Sequence, residues 1–166
     1  MQKGMDELFA ELQVRWLKKL NKAEFHGSEF MVYGKDEEWV YIGEKYYVIR
    51  IPKRFFILDE QALMRVYIKA LRTGNLGTTF ATANTEATTP VVDTGTQERS
   101  KDGKFMLSVF KTTDENPVEY RINPKFMAEI KDFPYGDCKS SGKPNTPLIF
   151  NMFGEPCALV LPVRTN

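Results

Sequence analysis

The chain has 166 residues, a formal net charge of +1, 42% hydrophobic residues and 13% aromatic residues. This length allows one domain, or two small subdomains, with a buried core, and the composition excludes a chain that is disordered throughout. A protein that grips nucleic acid over its whole surface is usually more basic, so any nucleic-acid binding must depend on local patches.

The first half of the sequence predicts a helix, three strands and a second helix. Apolar side chains recur at helical spacing over residues 6–20. Aromatic and β-branched residues, separated by hairpin-like breaks, predict short strands over 29–33, 38–42 and 45–51. A second helix is expected over 60–73, with Asp59 as its N-cap and Gly74 after its end.

The second half begins with the one biased stretch of the chain. Residues 73–103 are rich in Thr, Gly and Ala, so we expect a mobile loop or an insertion, with at most a brief strand at "TTPVV". A short helix is predicted over 123–133, with Asn123 as N-cap and Pro124 at its first position. Strands are predicted over 104–110, 118–122, 147–153 and 157–163. Together the elements predict one α+β domain over 1–166, with a mainly antiparallel sheet and two or three helices.

No catalytic constellation is visible in the sequence. His26 is the only histidine and falls in a predicted loop, and Cys138 has no histidine base near it in the sequence. The acidic run Asp36, Glu37 and Glu38 falls in a predicted hairpin turn, where solvated charge is the ordinary outcome. Two cysteines are too few for a disulfide framework, and one histidine argues against a zinc site. We therefore expect a protein that is not an enzyme and holds no metal and no cofactor.

The N-terminus and the hydropathy pattern bear on location. The first residues lack the apolar segment of a signal peptide, and no apolar run approaches membrane-spanning length. A cytoplasmic protein with reduced thiols and no membrane contact is predicted.

Cationic residues form a stripe on each of the first two predicted helices. On the first helix the spacing is i, i+3, i+4 and i+7, and the residues are Arg15, Lys18, Lys19 and Lys22. On the second helix the spacing is i, i+4 and i+7, and the residues are Arg65, Lys69 and Arg72. A solvated amphipathic face is the ordinary interpretation of one such stripe. Stripes that shared a surface would suit phosphate backbones without reading sequence, so these residues are the DNA-binding candidates.

The C-terminal segment "LVLPVRTN", residues 159–166, is an apolar stretch interrupted by a proline. Pro162 removes one ladder donor, which predicts a position at a sheet edge. Two interpretations follow from the residues alone. The segment is one wall of a peptide-binding groove in which Arg164 holds a partner's carboxylate or carbonyl. Alternatively, Leu159, Leu161 and Val163 are buried core residues and Arg164 only solvates the end.

Two segments, "YRINPKFMAEIKDF" and "PLIFNMFGEPCALVLPVRTN", carry a family resemblance. Together they resemble the last part of the bacterial DNA polymerase III β subunit, the sliding clamp, whose final domain also runs strand, capped helix, then a hairpin with an apolar–Pro–apolar–Arg tail. The resemblance covers the final third of the chain, and the first helix and strands fit the same domain's opening more loosely.

The resemblance implies a processivity-clamp-like fold with helices that face DNA and a groove for short linear motifs of replication proteins. Carried over by position, the groove residues would be Val160, Leu161, Pro162, Val163 and Arg164. The expected function is a non-catalytic, sliding-clamp-like module of phage or mobile-element origin. Its expected partners are duplex DNA, replication-protein motifs and further copies of itself as a homo-oligomer. The alternative is an interaction or structural protein that reuses the fold without binding DNA.

Overall fold

The computed structural model describes residues 3–26, 31–44, 46–66 and 76–164. The chain divides into two compact units, Met1–Thr79 and Phe80–Asn166. Within each unit the strands pair antiparallel, which confirms the α+β class with an antiparallel sheet. The described residues contain four α-helices, one more than the upper end of the prediction. The single clamp-like domain over 1–166 stays a prediction.

The first unit is a helical layer and a three-stranded meander. Its elements are α1 (Met5–His26), β1 (Met31–Lys35), β2 (Trp39–Glu44), β3 (Tyr47–Pro52), the 3-10 turn η1 (Lys53–Phe55) and α2 (Glu60–Val66). β2 pairs with β1 on one side and with β3 on the other. Helix α3 (Leu76–Glu86) begins in this unit and ends in the second.

The core of the first unit follows from two apolar periodicities. Helix α1 buries a stripe that recurs every four residues, namely Leu8, Leu12, Trp16 and Leu20. Alternate residues of β2 and β3 add Val40, Ile42, Ile49 and Ile51. Each such side chain stabilises the fold by about 1.5–3 kcal/mol relative to an exposed position. Leu17, which the sequence places with the apolar stripe, is exposed, because it lies about 100° around the helix from Trp16.

The second unit is a six-stranded sheet with one short helix. Its elements are the end of α3, β4 (Thr89–Arg99), β5 (Met106–Thr112), β6 (Glu119–Ile122), α4 (Pro124–Glu129), β7 (Tyr135–Ser140), β8 (Leu148–Met152) and β9 (Glu155–Val160). The strands lie in the order β9-β8-β7-β4-β5-β6. Beyond β9, the backbone N–H of Val163 donates to the carbonyl of Arg121 in β6 at 2.8 Å. The segment that follows β9 therefore reaches β6, the strand at the far end of this order.

Aromatic side chains fill the interior of the second unit. The Phe150 ring lies 5.0 Å from the Phe126 ring of α4 and 5.7 Å from the Phe110 ring of β5, measured between centroids. Helix α4 begins as predicted, because Pro124 occupies its first turn and Asn123 Oδ1 accepts a hydrogen bond from the Lys125 N–H at 2.8 Å. The helix thereby brings Phe126 into the core.

The structure differs from the sequence prediction in the lengths of two helices and in one further strand. Helix α4 ends at Glu129 and not at residue 133. Helix α1 continues past residue 20 to His26, because no glycine or proline interrupts the chain before Gly27. His26 therefore lies in the last turn of a helix and not in a loop. Strand β7 was not predicted, since "YGDCKS" lacks both apolar alternation and β-branched residues.

Residues 76–99 contain regular structure where the sequence predicts a loop or an insertion. Helix α3 spans Leu76–Glu86 and β4 spans Thr89–Arg99, so "TTPVV" belongs to a long strand. β4 pairs with β5 on one side and β7 on the other, which makes it an internal strand of the sheet. The threonines suit a half-exposed strand, but few large apolar residues accompany them, so the apolar pattern is weak. The mobility of this segment stays a prediction.

Candidate nucleic-acid interface

A two-stranded arm projects from the sheet of the second unit. β4 pairs with β7 only over Thr89–Val91, and β5 pairs with β6 only over Ser108–Lys111. Among the described residues, β4 and β5 pair only with each other from Glu98 to Leu107. Residues 98–107 are termed the β4–β5 arm, and residues 100–105 the arm tip. At about 3.4 Å per residue, the tip lies roughly 10 Å beyond the last paired residue of β6.

An irregularity in β4 sets where the arm leaves the sheet. The pairing with β5 shifts between Asp93 and Gln97. There, Gly95 has φ +74° and donates its N–H to Asp93 Oδ1 at 2.9 Å. The Thr94 hydroxyl donates to the Val109 carbonyl at 2.7 Å, which ties the irregular segment to β5. Because a bulge bends its strand and increases the local twist, this segment directs the arm away from the sheet.

Hydrogen bonds within the turn connect the two sides of the arm tip. The Ser100 N–H donates to the Phe105 carbonyl at 2.8 Å, and the Phe105 N–H donates to Ser100 Oγ at 3.1 Å. Asp102 Oδ1 accepts from the Ser100 hydroxyl at 2.6 Å and from the Lys104 N–H at 3.0 Å. These two bonds, the Ser100 bond first, lower the pKa of Asp102. The carboxylate is thus engaged inside the turn, where Gly103 supplies the positive φ.

The outer surface of the arm combines cations with apolar side chains. Its exposed members are Arg99, Lys101, Lys104, Phe105 and Met106. Phe105 and Met106 are 46% and 41% exposed. In the part of the chain that the structure describes, neither Lys101 nor Lys104 forms an ion pair. The Arg99 guanidinium donates to the Gly103 carbonyl at 3.0 Å, which keeps its charge at the tip.

The carboxylate at the base of the arm has a cationic partner. Arg121 of β6 pairs through Nε with Glu98 and through Nη2 with Glu119, the latter at 3.1 Å. Exposed ion pairs contribute little to stability, and Arg121 shares its single charge between two carboxylates. Residues 98–107 contain three cations and two carboxylates, Glu98 and Asp102, so the arm carries a net charge of +1.

The structure describes part of the predicted cationic stripes. On α1, Lys18 is exposed, Arg15 is partly buried, and the Lys19 ammonium lies 3.3 Å from Glu44 Oε1. A phosphate would have to compete with Glu44 for Lys19. The remaining candidates lie outside the described part of the structure. They are the side chains of Lys22 and Arg65 and the whole of Lys69 and Arg72.

The predicted groove residues divide into a buried and an exposed set. Val160 ends β9 and is buried, as is Pro162, whereas Leu161, Val163 and Arg164 are exposed. The strand predicted over 157–163 therefore ends at Val160, and the segment that follows runs beside β6 through the Val163–Arg121 hydrogen bond. The interpretation that buries Leu161 and Val163 is wrong. Whether these two side chains contact a peptide stays a prediction.

Asp36 is a structural residue of the β1–β2 turn. Its carboxylate accepts from the Tyr41 hydroxyl at 2.7 Å and from the N–H groups of Trp39 and Glu38 at 2.9 and 3.0 Å. Burial raises the pKa of Asp36, but these hydrogen bonds, led by that of Tyr41, outweigh it and lower the pKa overall. The carboxylate closes the hairpin, beyond the merely solvated role that the sequence predicts.

The remaining candidates for chemistry are buried or dispersed. Both cysteines are buried, and burial, followed by the Asp137 charge, raises the pKa of the Cys138 thiol. The thiol is therefore uncharged at neutral pH and a poor nucleophile. Within residues 3–26, 31–44, 46–66 and 76–164, no three or more His, Cys, Asp and Glu side chains are grouped so that they could hold a metal ion.

Sequence reasoning missed the arm because it assigned "ERSKDGKFM" to a loop and the start of a strand. A signal was present: the Asp102–Gly103 pair, between segments that later pair, is typical of a hairpin turn. Scans against protein-family models, curated proteins and solved structures found no match to this chain. No helix in the described part of the chain has the length and apolar character needed to cross a membrane.

Proposed function

We propose that the chain is a non-catalytic nucleic-acid-binding module and that the β4–β5 arm is its contact surface. The observation that carries the proposal is the arm itself, a projecting ribbon with exposed Lys101, Lys104 and Phe105 at its tip. Cations attract phosphates, and the arm stands clear of the rest of the sheet, so a strand of nucleic acid can approach it. The DNA-binding function predicted from the sliding-clamp resemblance agrees with this proposal.

The charge distribution supports weak, sequence-independent binding. The chain as a whole has a net charge of +1, so attraction is confined to the arm and to other local cations such as Lys18. A few phosphate contacts give dissociation constants on the order of 10⁻⁴–10⁻⁶ M at physiological salt. We expect affinity that falls steeply with salt and differs little between unrelated sequences.

The protein-interaction alternative has one observation in its favour. Leu161 and Val163 are exposed on either side of the buried Pro162, and they offer apolar contact next to Arg164. Peptide binding at this segment together with DNA binding would fit the clamp-like function, whose groove the resemblance places here. Binding of a clamp-motif peptide that is lost in a Leu161→Ser/Val163→Ser variant, by a chain that binds no DNA at low salt, would favour this second function.

The test of the first function is a change of charge at the arm tip. Lys101→Gln/Lys104→Gln should lower affinity for a labelled DNA about tenfold at low salt and reduce the salt slope by about 1–2. Fluorescence anisotropy across a salt series measures both quantities. The matched control is Lys111→Gln/Lys143→Gln, which removes the same charge from exposed positions outside the arm.

Two results would reject the proposal. One is the absence of binding by the wild-type chain at low salt. The other is an equal loss in the arm variant and in its control, since binding would then follow net charge alone. A Lys18→Gln variant tests α1 separately, and it leaves the Lys19–Glu44 ion pair in place.

A further inference from the structure

We infer that the arm tip selects unpaired over paired nucleic acid, with Phe105 as the stacking platform; this inference rests on the proposed function. Phe105 is the last residue of the tip and is 46% exposed. Its backbone is fixed on both sides, because Ser100 bonds to the Phe105 carbonyl through its N–H and to the Phe105 N–H through its hydroxyl. An aromatic ring on a rigid, projecting turn is presented without a large ordering cost on binding.

The neighbours of the ring have the chemistry of a single-strand contact. Lys104 precedes Phe105 directly in the chain and Lys101 belongs to the same turn, so two exposed cations lie within four residues of the ring. Met106 follows and adds a second exposed apolar side chain. A base that stacks on the ring carries its phosphates toward these cations, which is how nonspecific single-strand sites are built.

A duplex cannot use the same contacts. Its bases are already stacked on one another, so Phe105 would reach one only after a base had left the stack. A duplex is therefore held through its phosphates by Lys101, Lys104 and Arg99 alone. The stacked base adds affinity only for the unpaired strand, roughly tenfold for one ring.

An anionic lipid surface is the other partner that could bind two exposed apolar side chains close to cations. The small apolar surface of the arm disfavours it. This surface consists of Phe105 and Met106 only, whereas stable attachment to a membrane surface requires a larger apolar face or a lipid anchor. Nucleic acid is therefore the partner to which the inference commits.

The experiment compares a labelled oligothymidylate with a labelled duplex of the same length. The wild-type chain should bind the single strand roughly tenfold more tightly at the same low salt. Phe105→Ala should remove this preference and leave the affinity for the duplex unchanged. Phe105→Leu keeps an apolar side chain without a ring, so it should behave like Phe105→Ala if stacking is the cause. Tyr46→Ala is the matched control, because Tyr46 is 47% exposed in the first unit.

The outcomes separate the inference from the proposed function. Equal wild-type affinity for both probes, or an equal loss on both in Phe105→Ala, overturns the single-strand selection while nucleic-acid binding stands. No binding to either probe overturns the proposed function as well. Tighter binding to vesicles of anionic phospholipid than to either probe, lost in Phe105→Ala, assigns the tip to membranes and overturns the inference. Unchanged thermal unfolding of Phe105→Ala establishes that the comparison is between folded proteins.

Discussion

A buried glutamine joins helix α1 to the segment after β3, and its removal is the most direct test of how the first unit is held together. Gln13 is fully buried in α1. Its amide donates to the Phe55 carbonyl at 2.7 Å and to the Phe9 carbonyl at 3.1 Å. Its oxygen accepts the Ile57 N–H, also at 2.7 Å. The side chain thus satisfies the carbonyl of the last residue of η1 and an N–H in the segment that follows it.

Gln13→Met removes these hydrogen bonds and nearly preserves the volume of the side chain. The Phe55 carbonyl and the Ile57 N–H then lose their partner, at about 1–3 kcal/mol each when fully buried. Both groups are only partly buried and the methionine side chain gains apolar contact, so we expect a total loss near the lower end, about 2–3 kcal/mol. Urea denaturation measures the free energy of unfolding, and hydrogen exchange at the Ile57 amide measures the local loss.

The control is Gln61→Met on helix α2, where the glutamine is exposed. It makes the same chemical change at a position with similar helix propensity, and we expect a change within about 0.5 kcal/mol. The Leu63 amide, which donates to the Asp59 carbonyl, should keep its protection in both variants. A loss in Gln13→Met no greater than in Gln61→Met, with Ile57 still protected, would refute the reasoning.

Two further predictions concern titratable groups. Asp36→Ala should cost about 1 kcal/mol at pH 7, because an exposed turn loses its hydrogen-bonded carboxylate. Since the folded-state pKa of Asp36 is lowered, this difference should be present above the ordinary value of 3.8 and shrink as the pH falls below it. Denaturation at a series of pH values measures it, and a pH-independent difference would contradict the assignment. In Cys157→Ser, Cys138 should resist a thiol reagent until the protein unfolds, because burial raises the pKa of its thiol; rapid reaction in the native protein would show that the thiol is accessible.

Most elements could be predicted because their signals lie between near neighbours in the chain. The apolar spacing of Leu8, Leu12, Trp16 and Leu20 specifies α1, and the Asn123–Pro124 pair specifies the start of α4. The closing hairpin β8–β9 likewise follows from two apolar runs around the Gly154 turn. Helix spacing, capping and turn chemistry all act within a few residues, so a sequence window contains them.

The candidate site could not be predicted in the same way. Whether a lysine can bind a ligand depends on whether folding brings a carboxylate from elsewhere in the chain into an ion pair with it. Lys19 pairs with Glu44, which lies 25 positions away. Lys101 and Lys104 form no ion pair within the described residues, although the Lys104 charge contributes to the lowered pKa of Asp102. The sequence shows a regular cationic stripe on α1 and no such stripe around "SKDGK", where the Asp102–Gly103 pair indicates a turn but not a cationic surface, so it predicts a site on the helix and none on the arm.

By itself the sequence determined the α+β class, helix α1 and most of the strands, since these follow from the period of apolar residues and from turn and cap residues. Only the tertiary structure decided that residues 89–99 form an internal strand, that this strand continues past its neighbours as an arm, and that Val163 reaches Arg121. The physical reason is the range of the interactions. Strand pairing and ion pairing join residues that are distant in the sequence, and so does the hydrogen bond from Gln13 to the Phe55 carbonyl, 42 positions away. These interactions depend on packing and on hydrogen bonding across the fold, which no local pattern encodes.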